Sequence, residues 1–183
     1  MGQLTFSSYP GNNSSLSTGY RNSYDVLGRS ISSSQDSELG SLTTTTNYLS
    51  GNQTSVTDPR GQVTVTGYQV FDQPAYDTPV WIQHPEGTYT DIARNIFGKP
   101  ISITRRNANA SQALTRTYAY NSNQELCRSV EPETGATLMG YDAAGNMKWS
   151  AAGLASDIGC VRLAQVRQSQ RVAWIELMIR ATV

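Results

Sequence analysis

The chain has 183 residues, which is enough for one ordinary domain or for a piece of a larger protein. Its 14 Lys and Arg residues balance its 14 Asp and Glu residues, which argues against general electrostatic binding of nucleic acid or of an anionic membrane. Two cysteines are too few for a disulfide framework or a four-cysteine zinc site. No run of about 20 apolar residues is present, so no transmembrane helix is expected.

Residues 1–17 are rich in Ser, Asn and Gly. They carry neither the cationic start nor the apolar run that is typical of a signal peptide. Two interpretations are open, a flexible segment and the tail of a repeat that leads into the next one. We therefore assign residues 1–17 to a flexible or partial-repeat segment.

Residues 18–153 contain a pattern that recurs along the chain, and such internal similarity is typical of repeat architectures. The turn-like stretch "YDVLGRSISSS" begins at Tyr24. Longer related segments begin at Asp58 ("DPRGQVTVTGYQVFDQP"), at His84 ("HPEGTYTDIARNIFGKPISIT") and at Glu131 ("EPETGATLMGYDAAGNMKWS"). Each of these three opens with Pro and Gly, continues as a Thr-rich alternating run, and reaches a second turn near Asp, Asn or Gly.

This pattern predicts stacked β-hairpins. Pro fixes one turn dihedral, Gly supplies the positive φ that a reversal needs, and the period-two alternation is typical of strands with one buried face. A single hairpin is marginal alone, but several stacked hairpins bury a common face. We therefore predict an all-β fold of antiparallel hairpins. The glycines expected at the reversals are Gly28, Gly61, Gly87, Gly98, Gly135 and Gly145. The aromatic residues expected between the strands are Tyr24, Tyr68, Tyr118, Tyr141 and Trp149.

The segments 24–29, 58–61 and 141–146 resemble the YD repeats of the bacterial RHS (rearrangement hotspot) family. The stretches "NIFGKPISITR" from Asn95 and "TRTYAYNSNQELCR" from Thr115 are similar to the same pattern. The resemblance covers about Thr18 to Gly153. It implies a large β-shell of spiralling hairpin repeats, which encloses a C-terminal toxin or effector or forms part of a secreted or cell-surface interaction protein.

By this resemblance the chain is expected to be a non-enzymatic wall segment of such a shell, secreted or at the cell surface. Its expected partners are other RHS repeats or an enclosed toxin domain, with no nucleic acid and no membrane insertion. The sequence departs from the family in three ways. It has too few repeats to close a shell, no Asp-Pro-x-Gly-Leu self-cleavage signature near its end, and no cargo domain after the repeats. An incomplete array leaves open strand edges, which predicts self-association.

The histidine, the cysteines and the aspartates are better explained by structural roles than by catalytic ones. His84, the only histidine, lies at a repeat opening, and no Gly-x-Ser-x-Gly elbow accompanies it. Cys127 lies in a strand-like run and is expected to be buried, and a Cys127–Cys160 disulfide is compatible with an exported protein. The aspartates at positions 25, 58 and 142 match no calcium loop and are expected to accept backbone N–H groups in turns. No cofactor and no metal are expected. An activity lost in His84→Ala or Cys127→Ala without unfolding would instead indicate an enzyme.

The remaining alternative is a carbohydrate-binding module. Aromatic residues that recur at one place in stacked hairpins form ladders across strands, and exposed members of such a ladder also serve as platforms for sugar rings. Binding of glycans that is lost on changing Trp81 or Trp149, with the fold retained, would favour this alternative.

Residues 154–183 form an atypical tail in which the Gly, Pro and Tyr residues of the repeats no longer recur. One interpretation is a short basic amphipathic helix, from the spacing of Leu163, Val166, Trp174, Leu177 and Met178. The other is a frameshifted repeat in a truncated gene. Codons that encode "LMIRATV" are able to spell Tyr-Asp-Pro-Arg-Asn-Arg when they are read one base earlier. The nucleotide sequence distinguishes the two.

Overall fold

The computed structural model describes residues 2–10, 17–70 and 75–160, and in these residues the chain forms thirteen β-strands and no helix. All strands belong to one antiparallel sheet whose strand order is the chain order. The strands are β1 (Phe6–Ser8), β2 (Gly19–Tyr24), β3 (Ser30–Ser37), β4 (Gly40–Leu49), β5 (Gln53–Thr57), β6 (Val63–Tyr68), β7 (Pro79–Gln83), β8 (Tyr89–Arg94), β9 (Pro100–Arg106), β10 (Ala113–Tyr120), β11 (Leu126–Glu131), β12 (Gly135–Tyr141) and β13 (Met147–Leu154).

The all-β prediction is confirmed, since the described residues form antiparallel strands of one sheet and contain no helix. The expected C-terminal helix is not present up to residue 160, and residues 161–183, where it would continue, lie outside the described residues. Among the residues that the structure describes, no helix has the length and apolar character needed to cross a membrane.

The chain divides into two compact units. Unit 1 contains the residues up to Asp91 together with Arg106–Ser111. Its strands β3 and β4 are composed almost wholly of Ser, Thr and other polar residues. They pair in unbroken register from Ser32↔Thr45 to Ser37↔Gly40. β-Branched Thr favours the extended conformation in β4, and the Ser-rich β3 pairs with it although neither strand has a continuous apolar face. Thr54 on β5, at 5% exposure, is the only side chain in the described part of unit 1 that is buried.

Unit 2 contains Ile92–Arg105 and the residues from Gln112 onward. Its buried side chains are apolar and lie on two neighbouring strands, Cys127 on β11 and Ala136 and Leu138 on β12. Ala136 and Leu138 are two residues apart and fully buried, so they occupy one face of β12. The core of unit 2 therefore sits on the central strand of the β11–β12–β13 meander.

Candidate functional site

Six reversals share one five-residue turn. The N–H of the first residue donates to the carbonyl of the fifth, and the N–H of the fourth donates to the carbonyl of the first, with N···O distances of 2.9–3.1 Å. This is a three-residue hairpin loop in which a type I turn is followed by a left-handed residue. The turns span residues 25–29, 58–62, 84–88, 95–99, 121–125 and 142–146.

The fourth turn residue has positive φ in every copy. Five copies use Gly, with φ of 75–82°, and the sixth uses Gln124 with φ of 63°. A side chain at this φ clashes with its own backbone, which explains why Gly predominates. Five of the six expected glycines lie here: Gly28, Gly61, Gly87, Gly98 and Gly145. Gly135 also has positive φ, of 80°, but it pairs directly with Glu131 in a different reversal. The segment that opens at Glu131 therefore does not share the opening turn of the other two Pro-led segments.

The first turn residue holds the turn together with its side chain. In five copies its Oδ1 accepts the backbone N–H of the third and of the fifth residue, at 2.8–3.0 Å. These residues are Asp25, Asp58, Asn95, Asn121 and Asp142. The turn interpretation of the three aspartates is therefore confirmed. The described residues contain no group of three His, Cys, Asp or Glu side chains placed to hold a metal ion.

The same hydrogen bonds lower the pKa of two of these carboxyl groups. For Asp25 the largest cause is the backbone N–H of Arg29, with the Arg29 guanidinium adding to it. For Asp142 the largest cause is the backbone N–H of Asn146. Both pKa values fall because the donors stabilise the charged form of the carboxylate.

A second feature recurs beside the turns, and we call it the tyrosine anchor. The phenol O–H of a tyrosine donates to a backbone carbonyl in the preceding strand or just before it. The pairs are Tyr24 with Leu4 (3.2 Å), Tyr48 with Ser30 (3.2 Å), Tyr120 with Pro100 (2.9 Å) and Tyr141 with Leu126 (2.9 Å). Tyr68 makes the related contact to the side-chain Oγ1 of Thr54, at 3.1 Å.

Four of the five anchor acceptors occupy one position in the repeat. Ser30, Thr54, Pro100 and Leu126 each follow a positive-φ residue by two positions, after Gly28, Asn52, Gly98 and Gln124 respectively. These four anchors therefore bind a strand just where it leaves its turn. Four of the five anchor tyrosines also lie at a register shift, next to Ser23, Gly67, Ala119 and Gly140. Such a bulge turns the neighbouring side chain away from the regular pleat.

A third recurring feature is a glycine that faces a tryptophan on the next strand. Gly67 is the register partner of Trp81, and Gly140 is the partner of Trp149. A Cβ added to either glycine would overlap the indole Nε1. Each indole therefore lies across the glycine backbone and covers the surface that a side chain would otherwise occupy. Both glycines come directly before an anchor tyrosine, Tyr68 or Tyr141.

In unit 1 two anchor tyrosines extend into an aromatic cluster. The ring of Tyr76 lies edge-on to Tyr48 and Tyr68, with centroid distances of 5.0 and 5.4 Å. The guanidinium of Arg29 lies 4.0 Å from the centroid of the Tyr48 ring and is paired with Asp25 at 2.7 Å. Edge-on aromatic pairs and cation–π contacts of this kind stabilise by about 0.5–1.5 kcal/mol each.

The predicted aromatic residues have different roles in the structure. Tyr24, Tyr68 and Tyr141 are anchors, and Trp149 covers Gly140. Tyr118 makes no anchor contact, and Tyr120, two residues further along β10, does so instead. Sequence reasoning also missed Tyr48. The available signal was a tyrosine directly before Asp or Asn, which marks the anchors Tyr24, Tyr120 and Tyr141 but misses Tyr48 and Tyr68. The same signal marks Tyr76, which joins an aromatic cluster instead.

The remaining reactive side chains have structural partners. His84 begins a five-residue turn, and its Nε2 lies 2.9 Å from the Thr90 Oγ1. It borders an open groove of about 560 Å³ between the turns that contain Gly61 and Gly87. Cys127 forms a disulfide with Cys160, so its sulfur is not a free thiol. Next to it, the Arg128 Nη1 donates to the Ile158 carbonyl at 2.9 Å, which joins residues after β13 to β11.

No protein-family model matches the chain, and no curated protein matches it at a significant level. A function is therefore inferred from the chain's own residues.

Proposed function

We propose that this chain is a non-enzymatic structural repeat module of the RHS/YD type. It supplies a wall segment of a larger β-shell that encloses a toxin or effector, or that forms part of a secreted or cell-surface interaction protein. The observation that carries the proposal is the recurrence of one turn in six places, together with a tyrosine anchor in five.

The distribution of side-chain contacts supports a structural role. The conformation-setting residues, namely Asp or Asn, Gly, Tyr and Trp, make their contacts with backbone groups or with one another. They do not converge on a common pocket. A binding or catalytic site gathers a few polar groups in one concave place, whereas a wall repeats the same contact along its length.

Carbohydrate binding is the alternative, and its two test residues are Trp81 and Trp149. Both indoles lie across a glycine on the partner strand, so this packing already accounts for their positions. The structural role is therefore favoured for both. Retention by a glycan array, lost in Trp81→Ala or Trp149→Ala with the circular-dichroism spectrum unchanged, would reverse this preference.

The DNA on both sides of the coding sequence tests the proposed function. We expect reading frames that continue the pattern of Tyr, then Asp or Asn, then Gly three residues later, and we expect electron microscopy of the longer product to show a closed shell. Flanking frames without this pattern, or a longer product with no enclosed volume, would contradict the proposal.

A further inference from the structure

Residues 155–160, which we call the strap, run from the end of β13 to the start of β11. The strap follows Leu154, whose register partner is Ala136, the second residue of β12. It ends at Cys160, which is disulfide-bonded to Cys127, the second residue of β11. Because β11 and β12 are antiparallel, Ala136 and Cys127 lie at opposite ends of this pair of strands. Since β12 lies between β11 and β13, the strap crosses β12 diagonally.

The strap crosses the face of β12 that carries the core of unit 2. Arg128 is the register partner of Leu138, so these two side chains point to the same face of the sheet. The Nη1 of Arg128 donates to the carbonyl of Ile158 in the strap at 2.9 Å, which places the strap on that face. Leu138 and Ala136 are fully buried on the same face. The strap is therefore one of the elements that cover the core.

Two consecutive residues of β11 hold the strap because one of them lies in a β-bulge. Ala119 of β10 pairs with Arg128, and Tyr120 pairs with Leu126, which leaves Cys127 as the extra residue. Regular pleating would point Cys127 and Arg128 to opposite faces. The bulge lets both reach the strap, one through the disulfide and the other through its hydrogen bond.

The two sulfur atoms of the disulfide differ in access and in surroundings. Cys160 is exposed, whereas Cys127 is only 6% exposed. Next to Cys127 in the chain, the Nε of Arg128 is buried and has no hydrogen-bond partner within the described residues. A buried donor without a partner is costly and calls for an explanation. A guanidinium beside a cysteine stabilises its thiolate form, so Cys127 is the better leaving group and Cys160 is the sulfur that a reagent reaches.

We propose that the Cys127–Cys160 disulfide is a thiol-exchange site whose substrate is a small-molecule thiolate. The thiolate attacks the Sγ of Cys160, the S–S bond breaks, and its electron pair leaves on the Sγ of Cys127, beside Arg128. The external sulfur stays on Cys160 as a mixed disulfide. When the Cys127 thiolate takes up a proton from solvent, its S–H donates to the Ala119 carbonyl, 3.3 Å from the sulfur. The reaction is stoichiometric and goes beyond the wall-segment function.

Exchange also releases the strap from the core. Within the described residues, the strap then keeps its hydrogen bond to Arg128 but has no covalent attachment to β11. The apolar side chains beneath it, Leu138 and Ala136, become accessible to solvent. The product is a chain that carries the small thiol on Cys160 and presents apolar surface on β12.

Reaction of the full chain with glutathione tests the direction of attack. Early time points are quenched with iodoacetamide, and peptide mass spectrometry locates the glutathione and the alkyl group. We expect the glutathione on Cys160 and the alkyl group on Cys127. The matched control is the same chain unfolded in urea, in which both sulfurs are accessible and the glutathione should divide between them. Glutathione mainly on Cys127 in the folded chain, an equal division there, or no reaction would overturn the proposal.

Substitution of Arg128 tests its role as a positioning residue for the leaving thiolate. We expect Arg128→Gln, which removes the charge, to slow the exchange by about two- to tenfold, and Arg128→Lys, which keeps it, to restore most of the rate. Arg128→Gln also weakens the hydrogen bond to the strap, and this structural loss alone would speed the reaction. An unchanged or faster rate in Arg128→Gln, or equal rates in the two variants, would therefore contradict the role of the charge.

Binding of 1-anilinonaphthalene-8-sulfonate tests the release of the strap. We expect the fluorescence of this dye to rise when glutathione reacts, while the far-ultraviolet circular dichroism of the strands stays unchanged. The control is the variant with both Cys127→Ser and Cys160→Ser, which should bind the dye without glutathione and show no further change on its addition. Dye binding that does not rise in the parent chain after exchange would show that the strap is not held over the core by the disulfide.

Discussion

Units 1 and 2 use the same turn but are stabilised by different contacts. In its described part, unit 1 buries one polar side chain, Thr54, and its anchors continue into the tyrosine cluster beside Arg29. Unit 2 buries apolar side chains on adjacent strands, and a disulfide joins residues after β13 to β11. The turns that open with Asp25 and with Asp142 nevertheless have the same hydrogen bonds. The local geometry of the repeat is therefore set by the turn and anchor residues, and the source of stabilisation varies between units.

The polar character of unit 1 has an energetic consequence. Its ion pair between Arg21 and Asp36, at 2.6 Å, is partly exposed, and such pairs contribute little. Burial of a complete Leu side chain contributes about 1.5–3 kcal/mol. We therefore expect unit 2 to resist denaturant better than unit 1. Single-tryptophan variants report on the two units separately: Trp81 reports on unit 1 when Trp149 and Trp174 are replaced by Phe, and Trp149 reports on unit 2 when Trp81 and Trp174 are replaced by Phe.

The largest expected effect is loss of the disulfide. Cys127 and Cys160 are 33 residues apart, and closing a loop of this length stabilises by about 3–4 kcal/mol in the chain-entropy account. We expect Cys160→Ser to lower the free energy of unfolding reported by Trp149 by this amount. Cys160 is exposed, so the substitution removes the cross-link without leaving a cavity. Dithiothreitol should reproduce the loss in the parent chain and have no effect on the variant. An equal loss reported by Trp81 would contradict the division into separately stabilised units.

Leu138→Ala is the next largest change. Leu138 is fully buried, and truncation of such a residue costs about 2–5 kcal/mol through lost burial and the cavity left behind. Leu42→Ala in unit 1 is the matched control because Leu42 is only half-buried, and we expect it to cost less than about 1 kcal/mol. Urea titrations followed by tryptophan fluorescence measure both. Similar costs for the two variants would show that unit 1 has an apolar core as well.

Substitution of the glycine under each indole should act equally in both units. We expect Gly67→Ala and Gly140→Ala each to destabilise by about 1–3 kcal/mol, because the new Cβ overlaps Trp81 or Trp149 and forces the ring to move. The control is a double-mutant cycle in unit 2 with Trp149→Ala, which makes room for the methyl group and should remove most of the penalty of Gly140→Ala. A penalty that persists in the double variant would place its cause in the strand backbone instead.

The sequence was sufficient to predict the turns, but it predicted the contacts between strands less well. Turn residues act locally, so Asp25, Asp58 and the glycines three positions after them were recognisable from their spacing alone. The anchor depends on where two strands meet. Tyr118 and Tyr120 alternate with Ala119 in the same run, and it is Tyr120, at the register shift and directly before Asn121, that reaches the Pro100 carbonyl. The polar core of unit 1 was not predictable either, because a buried Thr54 depends on its partner Tyr68.

The smallest expected effect is on the free energy of unfolding at acidic pH, and both units should show it. Asp25 and Asp142 have pKa values lowered in the folded chain. Their contribution to stability is therefore complete above the ordinary aspartate pKa of about 3.9 and is lost as the pH falls through the lower folded value. Asp25→Asn and Asp142→Asn should keep the turn, because Asn95 and Asn121 form the same turn. Both variants should show a weaker dependence of the free energy of unfolding on pH below about pH 4. Profiles unchanged in both variants would contradict this assignment.

One turn geometry recurs in both units regardless of what stabilises them. Nuclear magnetic resonance gives φ at the fourth turn position from three-bond couplings and chemical shifts. We expect positive φ at Gly28, Gly61, Gly87, Gly98, Gly145 and, above all, at the non-glycine Gln124. Negative φ at Gln124, or at the glycines of one unit only, would contradict it.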